Sequence, residues 1–197
     1  MAKGTRGRKK TVRAVRSSGA RTRSAPADAI ALLKADHRQV EGWFKEFQSA
    51  RLDTKKKSLA TNICQALKVH TTIEEEIFYP AFLEATEEED IHHEAEVEHA
   101  GAKKLIAEIE AIGPDDEYYD AKVKVLSEMI KHHVKEEEQR DGMFAKARKS
   151  AMDLKGLGES LSARKAELMN GETDDDTLAS RRGVRRLKRS SGARAQV

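Results

Sequence analysis

Four stretches of this 197-residue chain repeat apolar residues at alternating spacings of three and four, and a histidine interrupts each repeat. The first runs Ile30, Leu33, His37, Val40, Phe44, Phe47, and the second Leu59, Ile63, Leu67, His70, Glu74, Ile77. The third aligns Ala95, His99, Ala102, Ile106 and Ile109, and the fourth Val123, Leu126, Ile130, His133, Glu137 and Phe144. Such spacing lays one buried face along an α-helix. The first helix is expected to open at Pro26 and Asp28, with Ser24 as its cap. The second is expected from about Thr54 to Tyr79, ended or kinked by Pro80. The third runs from near Asp90 to just before Gly113-Pro114, and the fourth from after Pro114 toward Lys149. Four helices with short connections give an all-α, up-down-up-down four-helix bundle.

Composition agrees with helices. Charged residues make up 36% of the chain and aromatics 5%, with three prolines, a mixture poor in the turns and aromatic residues that sheets need. No apolar run approaches the ~18 residues of a membrane span, and no apolar signal segment follows the basic start, so no membrane partner is expected. The single cysteine, Cys64, excludes an internal disulfide and suits a reducing cytoplasm. The net charge of +3 conceals a partition: residues 1–24 hold nine Lys/Arg and no acid, and residues 178–197 hold seven and no acid. Between them, 21 basic residues face all 34 acidic ones. Both ends carry the hexamer RSSGAR, at Arg16–Arg21 and Arg189–Arg194. With so few apolar residues they are expected to be disordered tails. The organisation read from the sequence is a basic tail at 1–24, a bundle at 25–150, a short extra helix within 151–171, and a tail at 172–197, basic from 181.

The histidines set the chemical question. His37, His70, His99 and His133 each fall in the apolar row of a different helix, and Glu74 and Glu137 follow two of them one turn later on the same face. Four imidazoles and two carboxylates converging in a bundle core would be costly as bare polar groups. A pair of metal ions removes that cost by neutralising the carboxylates and engaging the nitrogens. Spacing alone is a weak signal, since five of the seven histidines have Glu four residues on. His132 with Glu136 is therefore a rival to His133 with Glu137, though its row is less regular. Glu41 is expected at a helix edge, His92 at the surface, and Glu75, Glu76, Glu136 and Glu138 on a solvated acidic face. No P-loop, dinucleotide fingerprint, nucleophile elbow or paired CxxC occurs. The reversed order of the Glu-x-x-His motif and the nitrogen-rich set disfavour a carboxylate-rich ferroxidase.

DHRQVEGWF around His37, HTTIEEEIFYP around His70, EVEHA around His99 and HHVKEEE around His133 resemble the haemerythrin-like, HHE cation-binding family over about 28–147. The resemblance implies a four-helix bundle holding two non-haem iron ions per chain, oxo- or hydroxo-bridged. It implies His37, His70, His99 and His133 as terminal ligands and Glu74 and Glu137 as bridges. Two departures stand out. Oxygen-carrying haemerythrins have a further histidine where this chain has Ala95, and family members often have Phe-Pro where this chain has Phe144-Ala145, which would let the fourth helix continue.

Two functional classes follow. One is a di-iron protein that handles or senses oxygen, nitric oxide or hydrogen peroxide, with peroxide decomposition or oxidation as its possible activity. The other is a helical interaction module with a structural metal site, whose basic tails bind nucleic acid weakly and without sequence preference.

Overall fold

A computed structural model of the chain describes Met1 and residues 28–171. Apart from Met1, both proposed tails lie outside those residues, as does Ser24. Among the described residues the regular structure is entirely helical. The helices are α1 (Ala29–Ser49), α2 (Asp53–Ile73), a π-helical turn (Glu74–Phe78), α3 (Tyr79–Thr86), α4 (Glu89–Ala111), α5 (Tyr119–Glu138), α6 (Met143–Lys149) and α7 (154–171). α1 packs on α2 and α5, and α4 packs on the same two, so the four long helices form a closed antiparallel ring.

Two apolar clusters fill the ring, one toward each end. Val40, Phe44, Phe47, Ile63, Leu67, Ile106 and Leu126 belong to one. Ile30, Leu33, Ile73, Phe78, Phe82, Met143, Phe144 and Leu161 belong to the other. The buried polar residues His37, His70, Glu74, His99, His133 and Glu137 are shared by neither cluster. A polar layer thus interrupts the core.

Three helix boundaries differ from the sequence expectation, each for a physical reason. α1 is capped by Asp28, whose Oδ1 accepts from the Ala31 amide at 2.8 Å. The second helix does not end at Pro80. It passes through the π turn into α3, whose first turn contains Pro80. The fourth helix does not reach Lys149. It stops at Glu138, and Gln139–Gly142 turn the chain into α6. Gly142 lies so close under the end of α5 that a Cβ there would meet the Glu136 carbonyl at 2.1 Å. Phe144 consequently enters the core from α6, stacking on His37 with ring centroids 5.8 Å apart.

Candidate metal centre

The π turn determines what faces the centre of the bundle. Its widened hydrogen bond runs from the Tyr79 amide to the Glu74 carbonyl, five residues back. That brings Glu74 and Tyr79 onto one face, which α-helical periodicity would hold apart. Phe78 and Tyr79 are therefore fully buried, while Ile77, read as the next core position, is only partly so.

All six residues singled out from the sequence meet in the polar layer, each 5% exposed or less. His37 Nε2 lies 3.0 Å from His70 Nε2, and His99 Nε2 lies 3.2 Å from His133 Nε2. Two carboxylates span these two pairs. Glu74 Oε2 is 3.2 Å from His70 Nε2 and 3.5 Å from His99 Nε2. Glu137 reaches His37 Nε2 through Oε2 at 3.3 Å and His133 Nε2 through Oε1 at 3.6 Å. His132 points away, its side chain 59% exposed, and Glu41 pairs on the surface with Arg38 and Lys45. His92 is half-buried rather than exposed, with its ring edge-on to Tyr79.

Each histidine turns its other nitrogen to a carboxylate from a neighbouring helix. His37 Nδ1 is 2.8 Å from Glu138, His99 Nδ1 2.9 Å from Glu75, and His133 Nδ1 2.8 Å from Glu98. His70 Nδ1 faces Asp36 at 3.6 Å, too far for a hydrogen bond. The pattern is cyclic: α1 supplies a carboxylate to the histidine of α2, the π turn to α4, α4 to α5, and α5 back to α1. Every one of these carboxylates is the immediate chain neighbour of an inward-facing residue, since Asp36 adjoins His37, Glu75 adjoins Glu74, Glu98 adjoins His99, and Glu138 adjoins Glu137. A step of one residue rotates a helical side chain by about 100°, from the bundle axis to the seam with the next helix. Basic side chains hold three of the carboxylates from outside, Arg38 and Lys34 on Glu138, Lys103 on Glu75, and Lys165 of α7 on Asp36, while the His132 ring lies 3.3 Å from Glu98.

This arrangement fits metal ions. A histidine that donates from Nδ1 presents a bare lone pair at Nε2. Two such lone pairs face each other at 3.2 Å between His99 and His133, and they repel unless a cation or proton lies between them. Neighbouring nitrogens on one octahedral ion would stand about 3 Å apart, given a metal–nitrogen bond of about 2.1 Å. Both Glu74 oxygens and Glu137 Oε2 are buried without a hydrogen-bond partner, a cost of about 1–3 kcal/mol each that bound ions would remove. His37, His70, Glu74 and Glu137 form one group able to hold a metal ion, and Glu74, His99 and His133 a second.

The electrostatics of these side chains reflect their crowding. Burial works against charge on His133, but Glu137 and Glu98 carry its imidazole up to about 9. Burial also disfavours charge on His70, yet Glu74 and Asp36 raise it. His37, where burial dominates, is lowered. Burial and the adjacent Glu74 charge push Glu137 up, whereas His70, His99 and His133 outweigh burial at Glu74 and hold it down. Tyr79, which the sequence reading did not single out, has its hydroxyl 3.1 Å from His99 Nε2 and donates to Glu137 Oε1 at 3.3 Å. Burial and the two glutamates keep that phenol protonated far above its usual range.

The sequence model of the haemerythrin HHE cation binding domain matches residues 28–145. The chain belongs to this family. The crystal structure of a haemerythrin HHE cation binding domain-containing protein from Mycobacterium kansasii shares the fold, with a TM-score of 0.62 and 23% identity over 73% of this chain and 88% of that one. A DNA nickase from Nostoc sp. is 29% identical over 107 residues, 54% of this chain. The matched part is 30% of that relative's length. The α7 helix lies beyond the part of the chain that the haemerythrin family model matches.

Proposed function

We propose that this haemerythrin-like chain is a non-haem di-iron protein that reacts with oxygen, nitric oxide or hydrogen peroxide. The observation that carries the reading is the doubling of the site: two Nε2 pairs at 3.0 and 3.2 Å, both spanned by Glu74 and by Glu137. His37 and His70 would hold one ion, His99 and His133 the other, and the two glutamates would serve both. Iron bound there supplies Lewis acidity and one-electron redox chemistry.

The surrounding residues prepare the site for that chemistry. Glu138, Glu75 and Glu98 fix the tautomer of His37, His99 and His133 and make their Nε2 atoms more basic. Tyr79 holds a proton beside Glu137 and His99, where a reacting ligand could accept it. The apolar clusters on either side keep bulk water from the layer. Ala95 leaves open a position that oxygen-carrying haemerythrins fill with histidine, which favours reaction over reversible carriage. Loading the protein anaerobically with ferrous iron and then admitting air tests this. Oxygen should be consumed and not returned under vacuum, and the oxidised protein should decompose hydrogen peroxide. Oxygen released intact under vacuum would make the protein a carrier.

A second reading gives the chain a nucleic-acid role, with the bundle as an interaction module around a structural metal. It is favoured by the confinement of unopposed positive charge to 1–24 and 178–197, and by the relative named as a DNA nickase. Binding to plasmid DNA should then fall steeply with salt through counterion release and vanish when both segments are removed. DNA binding by residues 28–171 alone, insensitive to salt, would contradict it.

A further inference from the structure

A cavity of about 50 Å³ opens between α4, α5 and the start of α6, and its floor is His133 and Glu137. Glu137 is 2% exposed, and its Oε2 has no hydrogen-bond partner. Ala95 forms one wall. A water needs about 10–15 Å³ of such space, so the cavity accommodates a diatomic molecule or hydrogen peroxide. Its outer lining is acidic: Glu94, Glu136 and Asp141, with Glu98 deeper. Lys149, 4.0 Å from Asp141, and His132, 3.3 Å from Glu98, are the opposing groups in contact with it.

Neither of two other cavities touching the histidines serves as an alternative route. A groove of about 280 Å³ between α1 and α5 meets His37 beside Glu138, the carboxylate on its outward nitrogen, and includes neither Glu74 nor Glu137. A void of about 10 Å³ among the four histidines is too small for a diatomic ligand.

We propose that small ligands reach the metal centre through the α4/α5/α6 cavity, and that its acidic mouth selects uncharged ligands and admits metal cations while repelling anions. The proposal rests on the di-iron reading above. Carboxylates concentrated around a narrow opening raise the local concentration of cations and lower that of anions, an effect salt screens within about 10 Å. Oxygen, nitric oxide and hydrogen peroxide carry no charge and pass; azide does not pass freely.

The test uses the full chain and two exposed positions, Glu94 and Asp141, reversed together as Glu94→Lys and Asp141→Lys. In the iron-loaded, oxidised protein, the ratio of the azide-binding rate to the peroxide-consumption rate should rise about tenfold on reversal, within the range of electrostatic steering. Uptake of cobalt(II) by the metal-free protein, followed by its visible absorption, should slow by a similar factor. Both differences should shrink as salt is raised. Neutral variants, Glu94→Gln with Asp141→Asn, should give intermediate values, and Ala95→Leu should slow azide and peroxide alike. Azide and cobalt rates blind to charge reversal and to salt would overturn the proposal, as would wild-type rates in Ala95→Leu. Failure of the wild-type chain to take up any metal would instead remove the di-iron reading itself.

Discussion

At the scale of single residues, the polar layer is a set of proton sites as much as a set of ligands. His133 is raised to about 9 and Glu137 to about 8, so the metal-free protein holds protons at these two side chains at pH 7, and Glu74 and Asp36 raise His70 as well. Metal binding requires bare donors, so it must expel those protons, and affinity should climb as pH rises from 7 to 9. An indicator dye in weakly buffered solution should report more than one proton released per chain on zinc addition at pH 7; no release would mean the donors were already bare. The same shifts set the stability of the metal-free protein. A raised His133 contributes stability that is complete below its ordinary 6.5 and is lost as pH rises through about 9. Burial works against charge on Glu138, but His37, Arg38 and Lys34 bring it down to about 2, so its contribution is complete above 4.5 and is lost as pH falls toward 2. Glu137, raised to about 8, contributes stability that is complete below its ordinary 4.5 and is lost as pH rises toward 8, so thermal stability set by these three groups should be greatest near pH 4.5 and fall on either side. The six inward residues were legible because each sits in phase with an apolar row. Asp36, Glu75, Glu98 and Glu138 were not, because a carboxylate one step from that row looks identical to a solvated one until the neighbouring helix is in position. Glu75 and Glu138 were accordingly read as surface acids.

At the scale of elements, the long helices were legible from periodicity, but the devices that end or shift them were not. Nothing in EEEIFYP distinguishes a π turn from an α-helix stopped by Pro80, so Tyr79 was missed even though it lies against His99 and Glu137. Gly142 ends α5 through a close backbone approach that only the folded arrangement reveals. α7 is the element with a consequence for the site. Its Lys165 binds Asp36 Oδ1, and Arg164 grips Glu76 of the π turn at 2.7 and 3.1 Å. Asp36 is drawn toward α7, and His70 alone among the four histidines lacks a close carboxylate on Nδ1. Lys165→Met should release Asp36 to His70 and change the metal bound there. The expected readout is a shift in the visible spectrum of the cobalt-loaded protein and a change in cobalt affinity of about 10-fold, the lower end for partners that orient a ligating histidine. A spectrum and affinity identical to wild type would show that α7 does not communicate with the site.

At the scale of the whole molecule, the sequence order of four histidine-bearing helices was enough to read an all-α bundle, and the helices pack as a closed antiparallel ring. The ring has a chemical counterpart in the cycle of carboxylates that each helix lends to the next, so neighbouring seams of the bundle are tied to the same polar layer. The layer interrupts a largely apolar core, and its orphaned glutamate oxygens carry a desolvation cost that a bound cation would remove. Ions that bind the folded chain and not the unfolded one then add stability directly. The most direct measurement is the iron-to-protein ratio of the full chain after anaerobic ferrous loading and removal of free metal, made on the wild type and on Glu74→Gln. Two irons per chain are expected in the wild type and nearly none in the variant, because Glu74 Oε2 faces both histidine pairs. One iron per wild-type chain, or a Glu74→Gln protein that keeps both, would contradict a dinuclear centre shared by these six residues.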